Sequence, residues 1–151
     1  MENKSVCFVI HSLQAGGMER VMSELVNYFS ATKKYRVHLV LYGIKREVFY
    51  PIANDIIVHR PSFEFDNSKR LRSTLKTIHF LRKTIKQINP IAALSFGERW
   101  NNLVLLALYG LKTPVFVSDR AQPDKPLGFK DDNLRKWLYP RAKGVVVQTS
   151  K

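Results

Sequence analysis

What most constrains this chain is an alternation, sustained from end to end, of short apolar runs with longer amphipathic segments. Val6-Cys7-Phe8-Val9-Ile10 is apolar at every position, the pattern of a strand covered on both faces. A polar loop carrying Gly16 and Gly17 follows. The next segment is helical from near Met18, because Val21, Met22, Leu25, Val26 and Phe29 share one face while Glu19, Arg20, Glu24 and Asn27 fall mostly elsewhere. Further strands are predicted over residues 35–42, 56–59, 91–96, 115–118 and 144–148, and further helices over 69–89, 101–111 and about 132–139. Pro61 halts the third strand and Pro90 the long helix, while 62–68, 97–100 and a proline-rich stretch running to Gly128 read as loops.

Strands separated by helices at this spacing imply right-handed crossovers. The expected fold is an open, mostly parallel α/β sheet of about six strands with helices on both faces, Rossmann-like in class. With 151 residues and 45% hydrophobic content, one domain with a sizeable core is expected and a disordered tail is excluded. No repeat, low-complexity tract or linker marks a second domain. The chain stops just after a strand and before a helix to cover it, which suggests an excised domain or a truncated gene product.

Cys7 is the lone cysteine, so neither an internal disulfide nor a CxxC redox pair is available. The four histidines, at 11, 38, 59 and 79, lack metal-ligand spacing, and His38 and His59 read as structural. The longest apolar stretch, 103–111, is about half of the roughly 18 residues that a membrane span needs. The run 6–10 is shorter than the apolar core of a signal peptide, so a cytoplasmic chain is expected.

Ligands of open parallel sheets bind outside the carboxyl ends of the strands, which directs attention to the loops there. Gly16 and Gly17 stand after the first strand, where amides can approach a phosphate. Their spacing is neither GxGxxG nor Walker A, and Tyr42-Gly43-Ile44 carries no acid to hold a ribose, so an oxidoreductase is disfavoured. A tight turn into the helix is the other role open to the pair. Glu19 suits an acceptor hydroxyl or the helix dipole, and Arg20 a phosphate or a local ion pair. After the fourth strand, Ser95 to Asn102 combines a carboxylate, a cation, an aromatic ring and amides, a mixture suited to a sugar. There Glu98 is a candidate acceptor-binding or base residue, Trp100 a stacking face, and Asn101 either a ligand or the helix N-cap. Asp119 and Arg120 follow the fifth strand, as ligands or as an ion pair holding the loop.

Three segments carry a resemblance. Gly16-Gly17-Met18-Glu19-Arg20-Val21 resembles the GG-x-ER-V segment of bacterial GT-B glycosyltransferases of family 4. Residues 111–120, with Pro114 and Ser118-Asp119-Arg120, resemble its G-x-x-x-P-hydrophobic-x-S-E-R segment, and residues 137–150 its LYPxADxVVxxS segment. The match runs in order along essentially the whole chain. Met18 stands where Ala is common, and Asp119 stands where Glu is common, with a reach one methylene shorter. The resemblance implies the acceptor-side half of a retaining GT-B enzyme, whose carboxy-terminal nucleotide-sugar domain, with a basic residue and E-x7-E, is absent from this chain. It also implies a nucleotide sugar as co-substrate with no further cofactor, and a glycan or polyprenyl-diphosphate-linked acceptor. The roles that follow are donor-phosphate binding for Gly16, Gly17 and Arg20, acceptor binding for Glu19, Arg99, Trp100, Asn101 and Arg120, and catalysis for Glu98 and Asp119.

Net charge is +13, from 25 Lys and Arg against 12 Asp and Glu. Such a field attracts phosphates, nucleic acid or anionic lipid. Much of it lies in residues 69–86, which hold seven cations and no acid. At 100° per residue Leu71, Leu75, Ile78, Leu81 and Ile85 form one sector, expected to pack on the sheet. Lys69, Arg72, Lys76, Lys83 and Lys86 fall broadly opposite with Phe80 at their margin, a pattern matching either a peripheral contact on the inner face of the cell membrane or a solvated face with Phe80 tucked against a neighbour. No RNP-like strand, zinc module or recognition helix favours specific nucleic-acid binding. The leading expectation is sugar transfer onto a lipid-linked glycan; the alternative is a non-catalytic α/β module binding a nucleotide, phosphate or anionic polymer.

Overall fold

The computed structural model describes residues 4–43, 47–120 and 126–147. Much of the proline-rich loop, Ile44, Gln148 and the last residues of the third resemblance segment lie outside these. Strands β1 (Lys4–Ile10), β2 (Tyr35–Leu41), β3 (Ile57–His59), β4 (Ala92–Phe96), β5 (Val115–Asp119) and β6 (Gly144–Val147) form one sheet ordered β3-β2-β1-β4-β5-β6. Every described pairing is parallel. Helices α1 (Gly17–Ala31), α2 (Arg70–Ile88), α3 (Glu98–Ala107) and α4 (Phe129–Leu138) make the crossovers. The expected class and the six strands are therefore present.

β1 is central, and its alternation divides the core in two. Val6, Phe8 and Ile10 join Met22 and Val26 of α1, whereas Cys7 and Val9 join Leu81 and Ile85 of α2, Val104 of α3 and Leu138 of α4. Both faces of β1 are covered, which is why its sequence is apolar at five successive positions. Burial also pushes the Cys7 thiol far up, so it stays protonated and inert. α1 further anchors the segment before β3. Its Asn27, placed by periodicity on the polar side, donates to the Pro51 carbonyl at 3.0 Å and accepts from the Ala53 N–H at 2.8 Å.

The long basic helix departs from expectation. Its buried positions are Ser73, Thr77, Leu81, Thr84 and Ile85, roughly a quarter turn from the sector predicted by hydrophobicity. Leu71 and Leu75 do not pack on the sheet; they are 76% and 58% exposed. Small hydroxyl residues allow close approach to the core, and their polar groups are met locally. Thr77 Oγ1 donates to the Ser73 carbonyl at 2.9 Å, and Ser73 Oγ accepts from the Asp66 N–H at 3.0 Å.

Two further helices begin three residues earlier than predicted, because glycines at φ of 105° (Gly97) and 112° (Gly128) make the turns into α3 and α4. The end of α3 is tied to α2 by Arg82, whose Nη1 donates to the carbonyls of Ala107 and Tyr109 at 3.1 and 2.7 Å.

At the sheet edge, His38 Nδ1 lies 3.0 Å from His59 Nε2. Burial, reinforced by His59 and Arg36, lowers His38 to about 4. The unfolded chain takes up this proton near the ordinary value of about 6.5, so protonation favours unfolding between those values. Urea unfolding is expected to give constant stability above about pH 6.5 and falling stability from there toward pH 4. His38→Gln should flatten this decline; an equally steep decline in the variant contradicts the assignment.

Candidate functional site

The strand order turns at β1 and β4, whose carboxyl ends lead into helices on opposite faces. Such a turning point opens a crevice at the sheet rim. Gly16 is the N-cap of α1 and has extended backbone, and Tyr50 braces it: the hydroxyl donates to the Gly16 carbonyl at 3.0 Å and lies 3.2 Å from its N–H. The first intrahelical bond runs from the Arg20 N–H to the Gly16 carbonyl at 3.0 Å, leaving the first-turn amides of Gly17, Met18 and Glu19 without helical acceptors.

A cleft of about 550 Å³ opens there, lined by Gly17, Met18, Val21, Gly97, Glu98, Arg99, Trp100 and Arg120. Arg120 lies 5.6 Å from the Phe96 ring centroid, and its buried Nε has no hydrogen-bond partner among the described residues. The cleft thus joins the start of a helix, two guanidinium groups and one carboxylate, a set fitted to an anion carrying a polar substituent.

Not every candidate residue reaches this cleft. Gly16 stands behind Gly17, and a Cβ there would meet the Glu19 carboxylate at 2.1 Å, so Glu19 curls back over the helix start instead of lining the cleft. Arg20 is exposed and pairs with Glu24 at 3.0 Å, its local ion-pair alternative. Asn101 is not the N-cap, because α3 has already begun at Glu98. Nor is it free for an acceptor: it is fully buried, accepts from Ser95 Oγ at 2.8 Å and donates to the Ser118 carbonyl at 3.0 Å. Asp119 is buried and ion-paired with Arg135 of α4. It anchors the end of β5 and does not line the cleft.

Trp100 is half-buried and stacks on His11, with ring centroids 4.0 Å apart and planes 12° from parallel. That ring face is taken by protein. Burial lowers the His11 pKa, favouring a neutral imidazole. Behind this pair lies a second cavity of about 750 Å³ between α2, α3 and α4, and Arg99 and Trp100 line both spaces. Its wall adds Tyr42, Phe65, Asn67, Arg70, Thr74 and Asn102, among others. These residues were missed because the wall is assembled from separate elements; Tyr42 at the end of the second strand and Arg70 at the start of the basic helix were its only local signals.

The cations of α2 named for membrane contact, Arg72, Lys76, Lys83 and Lys86, are exposed, as is Lys69 just before it. Phe80 instead is half-buried and packs against the core. Leu71 and Leu75 are the apolar groups standing beside the charges.

Solved structures similar to the chain include MurG of Acinetobacter baumannii, with a TM-score of 0.61 and 17% identity over 98% of the chain, and UDP-N-acetylglucosamine 2-epimerase of Rickettsia bellii, with 0.63 and 13% over 97%. The likeness shows the fold. It is a Rossmann-like α/β fold of the kind found in GT-B-type proteins, and the chain covers 42% and 39% of those two proteins. In sequence it is 29% identical over 118 residues to the GalNAc-alpha-(1->4)-GalNAc-alpha-(1->3)-diNAcBac-PP-undecaprenol alpha-1,4-N-acetyl-D-galactosaminyltransferase of Campylobacter jejuni. That alignment covers 77% of this chain and 32% of the relative, so the chain spans about a third of its length. No family model matches.

Proposed function

We propose that this chain is the acceptor-side lobe of a retaining GT-B glycosyltransferase of family 4 that moves a sugar from a nucleotide donor onto a lipid-linked glycan. The observation that carries the reading is the convergence of Gly17, Arg99, Arg120 and Glu98 on one cleft at the turning point of the sheet. Similarity to a transferase acting on an undecaprenol-linked glycan supports the choice of substrates. A second lobe, lying outside this chain, would hold the nucleotide and close over the cleft.

Sugar transfer accumulates negative charge on the departing diphosphate and positive charge on the anomeric carbon. Donors aimed at the first and a carboxylate beside the second lower the barrier. The Gly17 amide and the Arg99 and Arg120 guanidinium groups serve the diphosphate, while the Glu98 carboxylate accepts from the acceptor hydroxyl and faces the cationic sugar. Asp119, held by Arg135, fixes the end of β5, from which Arg120 follows. The test is transfer from a panel of UDP-sugars to polyprenyl-diphosphate-linked glycans. The longest product of the gene is expected to transfer and the 151-residue chain alone to give none. Arg120→Ala in the longer product is expected to lower kcat/KM by about tenfold or more, the scale of a lost charge-assisted contact. Absence of transfer from every donor, or an unaffected Arg120→Ala, contradicts the proposal.

We also assign the outer face of α2 to an anionic membrane surface on the cytoplasmic side. Exposed Leu71 and Leu75 beside Arg72, Lys76, Lys83 and Lys86, on a helix without an acid, support this. Vesicles of phosphatidylglycerol should bind the chain. Leu71→Ser with Leu75→Ser should weaken binding about tenfold, and Lys76→Glu with Lys83→Glu should weaken it further at low salt than at high salt. Binding by both double variants as tight as that of the unsubstituted chain removes the assignment.

A further inference from the structure

The end of the molecule opposite the cleft presents two aromatic rings and a guanidinium group on its surface. Because the described strand pairings are all parallel, α2, α3 and α4 finish beside the amino ends of the strands. Tyr109 follows α3 and Trp137 lies in the last turn of α4. They are 49% and 45% exposed, yet their rings stack with centroids 5.6 Å apart and planes 28° from parallel. The Arg141 guanidinium lies 4.2 Å from the Trp137 ring centroid and 5.6 Å from that of Tyr109, and its Nη1 donates to the Trp137 carbonyl. These distances put Arg141 and Tyr109 on one side of the indole, since a guanidinium beyond its far face would lie much farther from Tyr109. Arg82 fixes the Tyr109 backbone, so the three side chains are held in place before any partner arrives.

The surroundings are basic throughout. Residues 82–92, 104–116 and 135–144, which carry the three helix ends and the turns into β4, β5 and β6, hold eight Lys and Arg and no Asp or Glu. Arg135 is engaged by Asp119. The carboxyl ends of three helices offset about 1.5 further charges, at roughly half a charge each, which leaves most of the field to a partner. Trp, Tyr and Arg dominate binding energy at protein interfaces, most of all where they are ordered beforehand. A second copy is disfavoured, because pairing this surface with itself sets like charge against like. Single-stranded nucleic acid stacks successive bases on a row of open rings, whereas these two rings stack on each other. Leu71 and Leu75, the apolar groups of the proposed membrane face, lie in the first two turns of α2, at the other end of the helix layer. Charge complementarity thus selects an acidic protein segment with an apolar side chain for the indole.

We propose that the surface formed by Tyr109, Trp137 and Arg141 docks an acidic segment of another protein, whose apolar side chain packs on the indole. Its carboxylates meet Arg141 and the lysines exposed in the adjoining turns, Lys112 and Lys143. The proposal stands apart from the transferase reading, since neither ring lines either opening at the sheet rim. The probe is a fluorescein-labelled peptide, Glu-Glu-Phe-Glu-Glu-Leu-Glu-Glu, titrated with the chain and followed by fluorescence anisotropy. Salt is held at about 0.15 M, where screening beyond roughly 8 Å limits the pull of cations elsewhere on the surface.

Trp137→Ala is expected to weaken the peptide about tenfold or more, the scale of an interface anchor. Lys112→Glu with Lys143→Glu, at exposed positions, is expected to weaken it by a similar factor with the urea midpoint unchanged, and more strongly at low salt than at high. Lys76→Glu with Lys83→Glu, on the outer face of α2, is expected to change affinity less than about twofold. If Trp137→Ala lowers the urea midpoint, the Lys112 and Lys143 pair decides alone. Absence of peptide binding at millimolar chain, unchanged affinity in the Lys112 and Lys143 pair, or an equal loss in the Lys76 and Lys83 pair overturns the docking surface. So does a thymidine oligonucleotide or a phosphatidylglycerol vesicle whose binding falls in Trp137→Ala while that of the peptide does not.

Discussion

Burial of β1 on both faces is the constraint on which the rest depends. A strand covered on two sides needs helices above and below, and its parallel neighbours β2 and β4 must be reached by crossovers on opposite faces. The chain therefore diverges at the carboxyl ends of β1 and β4. Neither helix start fills the gap between them, so a crevice is a geometric result of the sheet order. Gly17 at the start of α1 and Glu98, Arg99 and Trp100 at the start of α3 are brought together there from distant parts of the sequence.

Much of this was legible in the residues. Continuous apolar runs and period-3.6 patterns located the six strands and four α-helices of the described residues, since a strand covered by helices on both sides is apolar throughout and a helix packed on the sheet is apolar along a stripe. Glycine positions located the turns but not their geometry. The positive φ at Gly97 and Gly128 moved two helix starts forward and converted Asn101 from a candidate cap into an internal bracket between β4 and β5. Side chains with two local options were ambiguous for a physical reason: Arg20 had Glu24 one turn away, and Asp119 had a partner, Arg135, on an element that follows sixteen residues later.

The rotation of α2 was beyond a hydrophobicity count. Periodicity scores Leu71 and Leu75 as core and Ser73, Thr77 and Thr84 as surface, yet close packing against a sheet rewards small side chains whose hydroxyls bond nearby backbone. The same rotation leaves two leucines among cations and turns Phe80 inward. The second cavity was hidden because its wall exists only when α2, α3 and α4 come together. One rim of the sheet thus carries two openings, a cleft fitted to an anion at the start of α1 and a larger, mainly apolar cavity sharing Arg99 and Trp100 with it.

In the proposed reading the crevice between α1 and α3 receives the donor's diphosphate, while the second lobe holds the rest of the nucleotide. Titrating UDP into the isotopically labelled chain and following backbone amide resonances tests it most directly. The account predicts saturable shifts at Gly17, Met18, Gly97 and Arg120, with little change along α2. Shifts confined to the cationic face of α2, or none at these four amides at saturating UDP, contradict it.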